Sequence, residues 1–256
     1  GVTEQNGNFI VLATSGDGGA SFCDPALVVA HADPNMRLFD PNVWLDPLGR
    51  LWLFWAQSHD YFDGRCGVWA VRCDAPQRVP LAFTPPRRIA NGVMMNKPTV
   101  LADGTWLLPC AVWTCCPPAE VHPEVARERV SGVYASTDRG ESFAWRGGAD
   151  VPNRHFDEHM VMQRRDGGLW MLVRRYDGIG EAFSEDGGRT WRGERRADIA
   201  GPDSRFFVRR LRSGNLLLVN HVNFRGRDNL KALISLDDGA SWTGGLLLDG
   251  RDQVSY

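Results

Sequence analysis

Hydrophobic residues along this chain fall in short runs, and each of the clearest runs is introduced by a glycine turn. They read DPLGRLWLFW around Gly49, LADGTWLLPC around Gly104, RRDGGLWMLV around Gly167 and LRSGNLLLVN around Gly214, at a pitch of 55, 63 and 47 residues. Glycine beside Asp or Asn, followed by an apolar run of this length, marks a tight connection feeding a strand. Helical spacing is scarce. Only HPEVARERV, from His122 to Val130, fits a short helix, with Pro123 in its first turn and its charged positions facing water; an extended loop fits it equally well.

A second repeat has the same pitch. The motif S-x-D-x-G-x-[ST]-[WF] occurs as SGDGGASF from Ser15, STDRGESF from Ser136, SEDGGRTW from Ser184 and SLDDGASW from Ser235. The last three stand 48 and 51 residues apart, and a degenerate copy at Arg72–Pro76 divides the longer first gap. The carboxylates of Asp17, Asp138, Asp186 and Asp237 suit acceptance of hydrogen bonds from their own turns, so their expected role is structural. Gly19, Gly140, Gly188 and Gly239 suit the positive φ such a turn needs. The closing aromatics Phe22, Phe143, Trp191 and Trp242 are expected to be buried against a neighbouring sheet. Units of about fifty residues with several short strands predict propeller blades of four strands.

Composition changes this picture little. The 256 residues are 43% hydrophobic and 23% charged, ordinary for a globular chain with a real core. A net charge of -2 gives no global field for nucleic acid or an anionic membrane, so an acidic ligand has to be met by local arginines. No apolar stretch approaches the roughly 20 residues that span a bilayer. No signal peptide is visible in the given chain, which leaves a secreted or periplasmic setting open. The six cysteines form no C-x-x-C pair and read as buried free thiols. No cofactor is implied.

Repeated boxes at this pitch resemble the sialidase superfamily of glycoside hydrolases, across essentially the whole chain. The resemblance implies an all-β fold, a six-bladed β-propeller of four-stranded antiparallel blades with its site at the central axis. It also implies site residues. In DEHMVMQRRDGGLWMLVR, Glu158 and Arg174 fall on a family glutamate and on an arginine that closes a D-G-x-L-x-L-x-x-R segment. Strand alternation lets only one of Arg174 and Arg175 face the axis, and Arg174 is favoured. RDNLKALISLDDGASW supplies Arg227, and Tyr256 falls where the family has its nucleophilic tyrosine.

The implied activity is exo-acting removal of a terminal sialic acid or related acidic sugar, with retention through a tyrosyl intermediate. Glu158 would draw the phenolic proton from Tyr256, and Arg174 and Arg227 would clamp the substrate carboxylate. The alternatives are a carbohydrate-binding propeller without hydrolysis, and a propeller glycosidase or lyase acting on another sugar. The family's first arginine, in an R-I-P-like segment, and its Asp general acid have no counterpart before Ser15. Residues 1–256 are therefore expected to be one propeller domain shortened at both ends, monomeric, and inactive if both pieces are missing.

Further polar residues are expected near the axis. RHFDEH places His155 and His159 around Glu158; read as a strand, it does not build the zinc-binding face of H-E-x-x-H. Asp40 ahead of NVWLDP, Lys97 in VMMNKPTV and Arg205 ahead of FFVRR stand at expected strand starts and are candidates for substrate binding. Arg209, Arg210 and Arg212 are expected nearer an outer, solvated turn. Trp44, Trp52, Trp55, Trp69, Trp106 and Trp113 are expected in the core between blades.

Overall fold

The computed structural model describes residues 5–115 and 122–251, which form eighteen strands and one 3₁₀ turn. Strands β3 (Met36–Leu45), β4 (Leu51–His59), β5 (Gly67–Cys73) and β6 (Arg87–Asn91) make a four-stranded sheet in that order. A second sheet holds β7 (Thr99–Val100), β8 (Trp106–Ala111), β9 (Ser131–Ser136) and β10 (Ala144–Ala149). The third holds β11 (Met160–Gln163), β12 (Leu169–Arg175), β13 (Gly178–Ser184) and β14 (Arg192–Arg196), and the fourth β15 (Phe207–Arg210), β16 (Leu216–His221), β17 (Leu230–Ser235) and β18 (Thr243–Asp249). Each is an antiparallel meander. Ahead of them, β1 (Ile10–Leu12) and β2 (Leu27–Val29) pair antiparallel. The architecture is an all-β propeller with four-stranded blades. The described residues build four such blades plus the β1–β2 pair, whereas the resemblance led to six, because each blade consumes about fifty residues of chain.

The two repeats occupy fixed places in each blade. The glycine turns at Gly49, Gly104, Gly167 and Gly214 join the first and second strands; the boxes at Ser136, Ser184 and Ser235 join the third and fourth, as does the degenerate Arg72–Pro76 copy. The Ser15 box joins β1 to β2, which makes this pair equivalent to the third and fourth strands of a blade. In the box of the second blade, Asp138 accepts from Ser142 N at 3.0 Å and from Ser142 Oγ at 2.5 Å, and Ser136 Oγ accepts from Gly140 N at 2.8 Å. These bonds, the Ser142 hydroxyl first, hold the Asp138 carboxyl at about 2.

The second strands read as continuous apolar runs because blades cover both of their faces. Leu169, Met171 and Val173 of β12 pack with Leu107 and Val133 of the preceding blade. The alternate residues Trp170 and Leu172 pack with Val208, Leu216 and Leu218 of the following one. Trp52 and Phe54 meet Trp106, Leu108 and Tyr134 across the first seam in the same way. Every described seam is thus filled from both sides, the arrangement in which each buried apolar side chain contributes roughly 1.5–3 kcal/mol.

Box glycines complete two of these seams. A Cβ on Gly239 would lie 2.4 Å from the Trp170 ring of the preceding blade, and one on Gly140 would lie 2.8 Å from Trp52, the equivalent tryptophan. The equivalent residue before the Gly188 box is Leu107, and no atom of it comes within reach. The aromatics Trp44, Trp52, Trp55, Trp106 and Trp113 are all buried, and Trp191 is also buried. Phe22 departs from expectation at 67% exposed, because the other box aromatics pack against the preceding blade and, among the described residues, no sheet precedes the β1–β2 pair.

Three further details bear on the expectations. The His122–Val130 segment forms a 3₁₀ turn over Pro123–Glu128, with proline in its first turn; its Glu128 is buried and accepts from Tyr134 Oη at 2.5 Å, so one charged position faces inward. Cys66, Cys73 and Cys110 are buried free thiols, Cys115 is half-buried, and Cys23 is exposed and free; Cys116 lies outside the described residues. Among the described residues no helix is long and apolar enough to cross a membrane.

Candidate functional site

The first strands of the four blades, β3, β7, β11 and β15, jointly line an axial cavity of about 530 Å³. Just ahead of these strands, side chains bridge from blade to blade. Asn42, beside a bulge in β3, donates to Met94 O at 3.2 Å. Buried Asn96 donates through Nδ2 to Glu158 O at 2.8 Å and to His159 O at 3.1 Å. The Arg205 guanidinium donates to Met95 O and, at 3.0 Å, to Asn96 Oδ1. All four described blades are therefore tied together at one end of the axis.

The segment before β11 is not a strand. Phe156, Asp157 and Glu158 take φ values of 54°, 55° and 42°, three successive left-handed residues with no glycine among them. Such a conformation costs about 1–3 kcal/mol per residue and persists only when its surroundings force it. Here the forcing contacts are visible. His155 N donates to Arg174 O and Arg174 N donates to Asp157 O, both at 2.9 Å, which pins the turn to β12. The Phe156 ring stands edge-on to Trp113 with centroids 5.0 Å apart, and the Arg174 guanidinium lies 5.3 Å above it. The strand reading of RHFDEH is corrected accordingly, and the turn is what lifts Glu158 onto the Arg174 side chain.

Arg174 is the centre of the charge network. Its Nη1 lies 3.0 Å from Glu158 Oε1 and its Nε donates to Asp203 Oδ1 at 2.8 Å. Burial lowers the guanidinium's proton affinity, but the Glu158 charge and the hydrogen bonds to Asp203 and Glu158 outweigh it and hold the group above its ordinary value. Asp203 also pairs with His155 Nδ1 at 2.8 Å, and its backbone carbonyl accepts from Arg227 Nη2 at 3.1 Å. Burial raises the Asp203 carboxyl, while the His155 and Arg174 hydrogen bonds lower it further and win. His155 stacks on Tyr176, centroids 3.9 Å apart, at the rim. Glu158 Oε2 is buried with no hydrogen-bond partner, an acceptor with a full desolvation cost and nothing yet to offset it.

A second buried cluster stands behind the turn. Asp157 accepts from Ser131 Oγ at 2.7 Å and lies 3.2 Å from Arg154 Nε; burial pushes its carboxyl up to about 6. His159 Nε2 bonds the Gly132 carbonyl at 2.6 Å, and burial lowers the imidazole to about 4, which keeps it neutral. His155 and His159 thus serve different partners. Among the described residues no group of three or more His, Cys, Asp or Glu side chains is arranged to hold a metal.

Of the residues expected from sequence, the structure brings together Glu158, Arg174, His155 and Arg227 around Asp203, and joins Arg205 to them through Asn96. Arg175 turns away and pairs with Asp177 at 2.8 Å, in keeping with strand alternation. Lys97 is exposed and lines the axial cavity. Asp40 does not open a strand: it sits inside β3 at the bulge, with φ 48°, in the first blade. Tyr256 lies outside the described residues. Arg209 is exposed and stands close to the turn that follows β15, as expected, and from that first strand it also lines the cavity. Asp203 escaped the sequence reading because GPDSRFF looks like an ordinary turn. Its two-residue offset from Arg205 was the available signal.

No curated protein matches this chain. Among solved structures, the fold is similar to the Hadza microbial sialidase Hz136, with a TM-score of 0.70 and 19% identity over 94% of this chain and 52% of that one. It is similar also to the intramolecular trans-sialidase from Ruminococcus gnavus solved with oseltamivir carboxylate, with a TM-score of 0.68 and 12% identity over 93% of this chain and 77% of that one. The leech intramolecular trans-sialidase gives a TM-score of 0.66 at 13% identity, over 93% of this chain and 56% of that one. The chain spans about half the length of the first of these. At such identities the likeness concerns the fold, which is the β-propeller arrangement of sialidases. Residues 6–256 match the model of the BNR repeat-like domain, and the chain belongs to that family.

Proposed function

We propose that the recess around Arg174 is the acidic-sugar site of a sialidase-type glycoside hydrolase, acting on a terminal sialic acid or related sugar. The observation that carries this reading is the Glu158 carboxylate: one oxygen is fixed on Arg174 at 3.0 Å, and the other is buried and unpartnered. A carboxylate so held is an acceptor waiting for a proton donor. In this reading the donor is the phenol of Tyr256, whose ordinary pKa near 10 makes it a poor nucleophile until a base takes its proton. The phenolic oxygen then bonds to the anomeric carbon as the glycosidic bond breaks, and the aglycone oxygen leaves with the bonding pair and takes a proton from solvent. Water later attacks the anomeric carbon, gives up a proton to solvent and releases the sugar with retention, while Glu158 returns its proton to the phenol. Arg174 and Arg227 face the sugar carboxylate, for which a planar guanidinium is better suited than an ammonium. His155 and Asp203 act as positioning residues for Arg174, and Arg205 positions Asn96.

A second reading, a carbohydrate-binding propeller without hydrolysis, is favoured by one observation: Glu158 and Asp203 already occupy two of the Arg174 donors. Incubation with an aryl α-sialoside separates the two. Release of the aryl group by the wild-type chain, abolished in Glu158→Gln, supports the hydrolase; wild-type rates in that variant would end the mechanism. Saturable glycan binding with no product supports the binding module.

A further inference from the structure

The axial cavity begins where the Arg174 recess ends. Asn96 belongs to both, and β7, β11 and β15 run from the recess along the cavity wall. Its wall contains five cations, Lys97, Arg164, Arg165, Arg209 and Arg210, and no carboxylate. Three of the five are committed to the fold. Arg164 pairs with Asp166 at 2.9 Å. Arg165 donates to Leu236 O at 2.8 Å and Gly214 O at 3.2 Å. Arg210 donates to Gly214 O at 2.7 Å, to Gln163 O and to Asp238. Lys97 and Arg209 are exposed, and among the described residues neither has an ion pair or a side-chain hydrogen bond.

Unpaired cations in a concave wall with low-dielectric surroundings concentrate anions far more than the same charges on a convex surface. The net charge of the chain is -2, so this cation-rich wall runs against the overall balance. Arg209 lies on β15 four residues beyond Arg205, which stands just ahead of that strand, a span of at most about 13 Å at a rise near 3.3 Å per residue. A single sugar bound in the recess does not bridge that span. A chain of acidic sugars does.

We infer that the axial cavity is a second anion subsite, in which Arg209 and Lys97 bind a carboxylate or sulfate on a sugar linked to the one held at Arg174. This deepens the functional reading above and rests on it: the substrate class becomes acidic oligosaccharides with at least two anionic residues. Shape also fits, since the wall offers Phe207 beside Arg209 as an apolar surface for a sugar face.

The test is calorimetric titration of the whole chain with N-acetylneuraminic acid, its α2,8-linked trimer, a chondroitin sulfate tetrasaccharide, the unsulfated chondroitin tetrasaccharide and neutral maltotriose. The expected result is binding of the acidic trimer or of the sulfated tetrasaccharide roughly tenfold tighter than the monomer, the scale of one charge-assisted pairing. A gain kept by the unsulfated chondroitin tetrasaccharide or shown by the trimer identifies carboxylate as the second group, and a gain lost on removal of the sulfates identifies sulfate. That gain disappears in Arg209→Glu and returns in Arg209→Lys, while monomer binding is unchanged in Arg209→Glu and lost in Arg174→Ala. Oligomers that bind no tighter than the monomer, or a gain that survives Arg209→Glu, would overturn the inference while the Arg174 reading stands. Oligomers that bind through Arg209 with no monomer binding at all would overturn the Arg174 reading and keep the cavity as an anion site.

Discussion

Arg174 and Glu158 form an ion pair at 3.0 Å in which both side chains are almost wholly withdrawn from solvent, at 7% and 6% exposure. Two charges removed from water this far depend on each other, and removal of one strands the other. The pair is also asymmetric, because Arg174 has Asp203 as a second anion while Glu158 has one oxygen without any partner.

That asymmetry predicts unequal stability losses. Arg174→Ala leaves Glu158 and Asp203 without their common cation and is expected to cost about 3–5 kcal/mol in urea unfolding. Glu158→Gln leaves Arg174 paired with Asp203 and is expected to cost less than half as much. Equal losses would contradict the asymmetry.

The seam between the third and fourth blades predicts a contrast between two glycines. Gly239 has φ 94° and no room for a Cβ against Trp170, whereas Gly214 has φ 85° and open space around it. Gly239→Ala combines backbone strain with overpacking and is expected to cost about 2–5 kcal/mol. Gly214→Ala is expected to cost about 1 kcal/mol, from strain alone. Thermal denaturation of the two variants checks the difference.

Asp157 and His159 predict a pH signature. Burial raises Asp157 from 3.8 to about 6, so between these values the folded chain holds a proton that the unfolded chain has released, and stability falls as pH rises. His159 is lowered from 6.5 to about 4, so across that window the unfolded chain holds the extra proton, and stability rises with pH. The two slopes oppose each other between pH 4 and 6. Asp157→Asn removes one of them, and its stability is expected to fall on acidification by about 1.4 kcal/mol per pH unit more steeply than that of the wild type. Unfolding curves at several pH values measure this.

The box carboxylates predict a clean separation of stability from binding. Asp138→Ala removes three local acceptor bonds and is expected to cost about 1–2 kcal/mol. Its glycan affinity is expected to equal that of the wild type, since the box closes its turn at the opposite end of β9 from the Arg174 recess. A loss of affinity in a stably folded Asp138→Ala chain would give the box a functional role.

Much of the architecture was legible because it is local. A serine, an aspartate and a glycine at fixed offsets make their own turn, as Ser136, Asp138 and Gly140 do, so the repeat reported the blade and even the degenerate Arg72–Pro76 copy held its place. The family resemblance singled out Glu158 and Arg174, though not the ion pair they form. Asp203 was not legible, since nothing in GPDSRFF states that its carboxylate meets residues 29 and 48 positions earlier in the chain. The form of the 156–158 turn was equally hidden. Phe and Glu have no local preference for positive φ and Asp only a modest one, so contacts with Trp113, Arg174 and Asn96, from three separate stretches, impose three such residues in a row.

That imposed turn makes the carboxylate of Glu158 a late arrival in assembly. A hairpin formed in isolation has no reason to hold it in place, so the proposed reactive geometry exists only after neighbouring blades have docked, and a partly assembled propeller is chemically silent.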